Sequence, residues 1–382
     1  MKKIWIMAGE SSGDMYGAEL SRELRRIAAD RGETVEFSGM GGAAMIAAGI
    51  PVKVDSTELG VMGAFEVLKL LFTFIRVFFR LVKAAKAERP DAVILIDYPG
   101  FNLLFAKKMH RLGIPVYWYI SPQVWVWNKR RLPVLARVCT KMLVIFPFEV
   151  GVYAGSGLRT EFVGHPLVDM VAARRDPSIV RDPNCFLLLP GSRKNEVDRL
   201  LPVMLKVACI LKKSHREMRF HIAAPRERIA AMCEAKIAAF RKKHSDLPDI
   251  GISTGDTARW QQEAGTGLAA SGTVTVECAL SGLPLVVGYK LNILTLLGAM
   301  LIVKLYRGFF TMVNIITGRA VYQEFLQWHF CPEEVIPAVE AILPGGERRA
   351  EVEAGMTEMA EMLGADSDEP ALRRAAEAIW EW

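Results

Sequence analysis

Side chains able to do chemistry cluster in this sequence where short apolar runs end. The run Leu268-Ala269-Ala270 leads into Ser271-Gly272-Thr273, with Glu277 further on. If the run is a strand and a helix follows it, Ser271, Gly272 and Thr273 offer free backbone N–H groups and the positive end of a helix dipole to an anion. Glu277, one helical turn beyond, can accept hydrogen bonds from a ribose diol. Read alone, the segment is equally a capped helix followed by a surface glutamate. Pro190-Gly191-Ser192-Arg193 shifts the balance, because it too follows an apolar run, Phe186–Leu189. Its glycine allows close backbone approach, Ser192 brings a hydroxyl, and Arg193 brings a charged planar fork. In an open α/β sheet, loops beyond the carboxyl ends of strands can converge on one ligand, here a diphosphate.

The N-terminal half carries a different set. Gly9-Glu10-Ser11-Ser12-Gly13-Asp14 follows the first apolar run and opens a helix. Glu10, Ser11, Ser12 and Gly13 there suit a hydroxyl-rich or anionic ligand. Asp97 ends the apolar run Ala92–Ile96, where desolvation would raise a carboxyl pKa towards that of a useful base. The competing reading is an aspartate that caps the following turn. Ser121-Pro122 leads into Trp125 and Trp127, either core packing or a wall on which a sugar stacks. His165 reads as part of an interdomain turn, since no nucleophile or orienting acid lies near it in sequence. Gly39-Met40-Gly41-Gly42-Ala43-Ala44 has dinucleotide-loop spacing but follows the second strand instead of the first, so NAD is not expected. The chain has no Walker loop, and its Asp-x-Asp triplet, Asp366–Asp368, sits in a polar turn. Neither a metal nor another cofactor is expected.

The elements that must position these residues are βα units. Strands are expected at Ile4–Ala8, Glu36–Ser38, Ala92–Ile96, Val116–Ile120, Met142–Ile145 and Glu161–Val163. After a polar stretch, Arg174–Pro183, that reads as a linker, the pattern restarts with Phe186–Leu189, Arg219–Ala223, Gly267–Ala270 and Leu285–Val287. At 382 residues the chain exceeds one ordinary core. The expected class is α/β: two similar halves, residues 1–170 and 183–345, with a cleft between them. Helices at 346–382 are expected to pack back on the first half. A net charge of +6, scattered along the chain, fits an anionic substrate or membrane face and gives no nucleic-acid footprint. Six cysteines without a Cys-x-x-Cys pair point to a reducing, cytoplasmic compartment. The N-terminus turns polar too soon for a signal peptide.

Mean hydropathy is +0.21, high for a chain that is 24% charged, so a greasy surface patch is expected. Residues 67–82 supply one. At about 100° per residue, Lys69, Arg76, Arg80 and Lys83 fall on one narrow face, and Leu68, Leu71, Phe72, Ile75 and Phe79 fill the rest. The basic residues argue against a span and suit a helix lying in an anionic bilayer interface. The alternative is a helix packed in the core. Leu291–Val303 is uncharged but shorter than the roughly 20 residues a span needs, and Lys304 and Arg307 follow it. Two such segments suggest a lipid substrate drawn from a membrane surface.

In this order the segments resemble the lipid-A-disaccharide synthase family. The resemblance rests on Gly9-Glu10 through Ser12-Gly13-Asp14, Ile96-Asp97, Ser121-Pro122 with Val124-Trp125 and Trp127, and Phe146-Pro147-Phe148-Glu149. It continues through Gly164-His165-Pro166, Pro190–Arg193, Ala270–Thr273, and Gly318-Arg319 with Glu324. It implies a GT-B glycosyltransferase fold of two Rossmann-like domains and a metal-independent inverting hexosyltransferase. Such an enzyme moves 2,3-diacylglucosamine from UDP to 2,3-diacylglucosamine 1-phosphate. The resemblance also implies a homodimer, peripheral on the cytoplasmic face of the inner membrane. It places the base at Asp97, a phosphate contact at Arg193 and a functional asparagine at Asn314, preceded here by Val313 where the family usually has proline. Two alternatives stand beside it. One is another GT-B enzyme using UDP-GlcNAc, an epimerase or a lipid-linked peptidoglycan transferase; the other is a non-catalytic membrane-surface binder.

Overall fold

A computed structural model describes residues 1–56, 67–124, 129–290 and 308–381, and for 67–71 and 129 the backbone alone. The expectations for the side chains of Leu68, Lys69 and Leu71, for Trp125 and Trp127, and for the 291–307 segment lie outside the described residues. The chain divides into two compact units, Met1–Asp169 with Leu363–Trp382, and Met170–Met362.

Each unit is built on one parallel sheet. In the first, β1 (Lys2–Ala8), β2 (Val35–Gly41), β3 (Val52–Asp55), β4 (Ala92–Ile96), β5 (Val116–Tyr119), β6 (Lys141–Val144) and β7 (Thr160–Phe162) lie in the order β3-β2-β1-β4-β5-β6-β7. In the second, β8 (Asp182–Leu189), β9 (Arg219–Ala224), β10 (Ile250–Thr254), β11 (Ala264–Ala270), β12 (Leu285–Tyr289) and β13 (Gln323–Leu326) lie in the order β10-β9-β8-β11-β12-β13. Both are Rossmann-like, and in each the order reverses beside the unit's first strand. Central strands such as β4 and β11 are buried along their whole length, as parallel strands covered on both faces must be. The edge strands β3, β10 and β13 are only partly buried and carry polar residues. Their mixed composition hides them from a hydropathy reading, which misses all three.

Two expectations about the boundaries change. Arg174–Pro183 is no free linker: the Asp176 N–H donates to Gln262 Oε1 at 2.8 Å. Arg181, at the end of that stretch, donates to the carbonyls of Gln261 at 3.3 Å and Ser281 at 2.6 Å and also bonds Ala264. The stretch therefore belongs to the second unit. Of the C-terminal helices, Arg349–Met362 also belongs to the second unit, where Arg319 donates to Glu358 at 2.6 Å. Only the segment from Leu363 is part of the first. There Asp169 accepts from the Leu372 N–H at 2.7 Å and Lys141 donates to the Ala378 carbonyl at 3.1 Å.

The helix Val67–Glu88 combines the two readings of its sequence. Val77, Phe78, Leu81 and Ala85 form a helical stripe buried in the first unit's core. Phe78 packs edge-to-face on Phe101 and Phe105, with ring centres 5.6 and 6.4 Å away. On the outer side Phe72, Ile75 and Phe79 are exposed, next to exposed Arg76, Arg80 and Lys83. No helix among the described residues is long and apolar enough to cross a membrane. The two faces should respond oppositely to substitution. In chemical denaturation Leu81→Ala is expected to cost about 2–5 kcal/mol through the cavity it leaves. Phe72→Ser should stay within about 0.5 kcal/mol, and equal losses would show that the outer face is packed after all.

Candidate functional site

In the first unit the strand order reverses between β1 and β4, and the candidate residues stand beyond the carboxyl ends of those two strands. Glu10 is the N-cap of the helix Ser11–Asp30 and is exposed. Ser11 is exposed, Ser12 half-buried, and Gly13 packs on Ile96 and Ala8. Across from them Asp97 and Tyr98 both take the left-handed backbone, with φ of 42° and 46°. Such a conformation is uncommon outside glycine and costs about 1–3 kcal/mol per residue. The Tyr98 ring lies where a side chain on residue 9 would go, since a Cβ there would come within 2.2 Å of it. Gly9 is thus required for the β1 loop to approach the β4 loop.

The Asp97 carboxyl is half-buried, and its pKa is pushed up to about 6. Desolvation is the larger cause and the negative field of Glu10 the second, while a hydrogen bond from the Tyr98 backbone pulls the other way. The group is therefore ionised at neutral pH yet basic enough to accept a proton. A residue with no role assigned from sequence holds this loop. Asn102 is fully buried, and its Nδ2 lies 2.8 Å from the Asp97 carbonyl and 3.2 Å from that of Ile96.

Asp14 does something else. It is buried and accepts from the N–H groups of Gly42, Ala44 and Met45 at 2.6, 2.9 and 3.1 Å. In the glycine-rich segment at the end of β2, the N–H groups of Gly42 and Ala44 are thus already taken by a buried carboxylate. Ser121 is buried and bonded to the Tyr153 hydroxyl at 2.7 Å. His165 is buried as well, its pKa pushed down to about 3 by desolvation, and its Nδ1 accepts from the Leu167 N–H at 3.1 Å. It is a neutral packing residue beside Tyr16 and Phe146.

In the second unit the order reverses between β8 and β11, and Ser192, Arg193 and Ser271–Thr273 follow those strands. Arg193 is the N-cap of the helix Lys194–Ser214, with its side chain 70% exposed. The N–H groups of Ser192 and Arg193 are held by Glu196 Oε2 at 2.9 and 3.1 Å, and Arg193 also donates to Glu196 Oε1 at 3.3 Å. A carboxylate thus occupies this anion position, a partner absent from the sequence reading. Ser271 donates its N–H to the Gly288 carbonyl at 3.1 Å and its hydroxyl to that of Phe310 at 3.3 Å. Gly272 and Thr273 are exposed at the start of the helix Thr273–Leu280. Glu277, one turn on, is half-buried and accepts from Gln261 Nε2 at 3.3 Å. Burial raises its pKa, offset by that bond and by Arg174.

Asn314, the functional asparagine that the resemblance implies, stands in the second unit beside Glu324. It is fully buried, and its amide donates to the Tyr322 carbonyl at 2.7 Å and to Glu324 Oε1 at 2.8 Å. Its Oδ1 accepts from the Tyr322 N–H at 2.9 Å. Glu324 also accepts from the N–H groups of Phe310 and Thr311 at 3.0 and 2.8 Å. Together Asn314 and Glu324 set the path of the chain on both sides of the helix Met312–Thr317.

Comparison with known proteins is consistent with this geometry. The family described as Lipid-A-disaccharide synthetase matches residues 4–375. The lipid-A-disaccharide synthase of Syntrophus aciditrophicus is 38% identical over 371 residues, covering 95% of this chain and 94% of that protein. That of Koribacter versatilis is 35% identical, covering 99% and 98%. Among solved structures, the UDP-GlcNAc 2-epimerase of Neisseria meningitidis bound to UDP-GlcNAc superposes with a TM-score of 0.63 at 11% identity, covering 100% of this chain and 99% of that one. The glycotransferase of kitacinnamycin gives 0.61 at 16% identity, covering 99% and 98%. At such identities these two speak for the fold alone.

The electrostatics of Asp97 can be read directly. In a carbon-detected NMR titration its carboxyl should change state near pH 6. Glu10→Gln removes a like charge and should lower that midpoint, while burial keeps it above the ordinary 3.8. A wild-type midpoint near 4 would remove the case for a poised base.

Proposed function

Because the chain belongs to the lipid-A-disaccharide synthetase family, we propose that it joins UDP-2,3-diacylglucosamine to 2,3-diacylglucosamine 1-phosphate, releasing UDP. The protein is a glycosyltransferase of lipid A disaccharide synthesis. Neither an epimerase nor a non-catalytic binder is favoured by relatives of this similarity. The observation that carries the finer reading is Asp97, a half-buried carboxylate with its pKa near 6 at the end of β4.

In this mechanism Asp97 takes the proton of the acceptor 6-hydroxyl as that oxygen attacks C1 of the donor sugar. The new O–C1 bond forms on one face while the C1–O bond to UDP breaks on the other, so the configuration inverts. UDP leaves with the bonding electrons. Its diphosphate is held by Arg193 and by the helix start at Ser271–Thr273, which supply the charge stabilisation. To bind there it displaces the Glu196 carboxylate from Ser192 and Arg193. Glu277 receives the ribose hydroxyls, and the serines after β1 face the acceptor.

The exposed Phe72, Ile75 and Phe79 beside Arg76, Arg80 and Lys83 support a resting place on an anionic bilayer, at the cytoplasmic face of the inner membrane, where acylated substrates reside. A homodimer belongs to the same reading.

Two measurements test it. Asp97→Asn should lower UDP release from the acylated donor and acceptor by about 10²–10⁴-fold while UDP affinity, measured calorimetrically, is retained. Turnover close to normal would sink the assignment. The triple change of Phe72, Ile75 and Phe79 to serine should weaken partitioning onto vesicles containing anionic lipid by about a thousandfold or more, at about 1.5–3 kcal/mol for each side chain. Unchanged partitioning would exclude this face.

A further inference from the structure

We propose that Asn102 is the positioning residue of the transfer reaction: by gathering the backbone carbonyls at the ends of β1 and β4, it fixes the left-handed turn that aims the Asp97 carboxylate. This rests on the reading of Asp97 as the base.

Asn102 lies in the first turn of the helix Pro99–Arg111, fully buried, with its own N–H bonded to the Tyr98 carbonyl at 3.1 Å. Its Nδ2 stands 2.8 Å from the carbonyl of Asp97, 3.2 Å from that of Ile96 and 3.5 Å from that of Met7. Met7 and Ile96 belong to the two strands between which the sheet order reverses. One amide therefore ties both strand ends to the carbonyl of the residue that does the chemistry. Its orientation is dictated, because a reversed amide would turn Oδ1 on three carbonyl oxygens.

The arrangement has a cost. Asn102 Oδ1 is buried without a hydrogen-bond partner among the described residues, which works against stability. Asp97 and Tyr98 are both held at positive φ. A side chain serving packing alone would carry no orphaned acceptor, and a backbone relaxed for stability alone would not keep two successive left-handed residues. Both features follow if the site must hold one carboxylate direction. Among the described residues the charged group that acts on Asp97 is Glu10, from the N-cap of the neighbouring helix, while Tyr98 reaches the carboxylate through its backbone N–H.

The test compares Asn102→Ala with the native enzyme and Asp97→Asn in the same UDP-release assay, across pH. With the turn released, the carboxylate is misaimed and better solvated. Turnover should fall about 10–10²-fold, KM for the donor and UDP affinity should stay within about twofold, and the acid limb of kcat should move down from near pH 6. A merely structural residue would lower activity in proportion to the folded fraction and leave the limb in place; that result, or near-native turnover, overturns the proposal. If Asn102→Ala does not fold, Tyr98→Gly is added, since glycine takes the left-handed conformation without strain. The double variant should regain folding and part of the turnover, and one that stays unfolded also overturns the proposal. Asp97→Asn separates the two failures. If it retains turnover, the base assignment falls first; if it is inactive while the limb is unmoved in Asn102→Ala, positioning alone is wrong.

Discussion

Everything at the candidate sites depends on one constraint of parallel sheets. A strand and its parallel neighbour must be joined by a crossover, and the crossover is right-handed. When successive strands are added first on one side of the founding strand and then on the other, the crossovers go to opposite faces. The carboxyl ends of the two strands at the reversal are then left uncovered. In this chain that happens at β1 and β4 and again at β8 and β11. Asp97 and Glu10 stand at the first opening, Arg193 and Ser271 at the second.

The two openings have opposite electrostatic character. The first gathers carboxylates and withholds water from one of them; the second pairs a guanidinium and the N–H groups of Ser192 and Arg193 with a single carboxylate, Glu196. Both units also use an internal carboxylate to quench a helix start, at different depths. Asp14, 6% exposed, seals the N–H groups after β2 inside the protein. Glu196 has a side chain 20% exposed and covers Ser192 and Arg193 at the surface. Burial fixes the first contact, whereas the second lies within reach of a competing anion.

Much of this was legible in the sequence, because long apolar runs ending in Gly, Ser, Asp or Arg mark strand ends directly. The central strands and the loops at Glu10–Gly13, Asp97, Ser192–Arg193 and Ser271–Thr273 were readable for that reason. The edge strands β3, β10 and β13 were not, since at four or five residues each, with polar and apolar residues mixed, they form no apolar run. Partners distant in sequence were equally hidden. Glu324 on Thr311 and Asn102 on Met7 are matters of three-dimensional approach that spacing does not encode. Asn314, the functional asparagine that the resemblance implies, is a further case: its amide bonds to Tyr322 and Glu324 span eight and ten residues, and spacing does not encode them.

The return of Leu363–Trp382 to the first unit fixes the order in which the protein can be completed. Domains ordinarily mature from the N-terminus as the ribosome delivers them. Here the helix Ala371–Trp380, whose Ile379 and Trp380 are buried, is translated only after Met170–Met362 has been made. The second unit, contiguous in sequence, has all its strands before that helix exists. The first unit, though begun earliest, waits without Leu372, which bonds Asp169, and Ala378, which bonds Lys141. During synthesis the half bearing Asp97 is the last to close, and it carries its exposed aromatic helix throughout the delay.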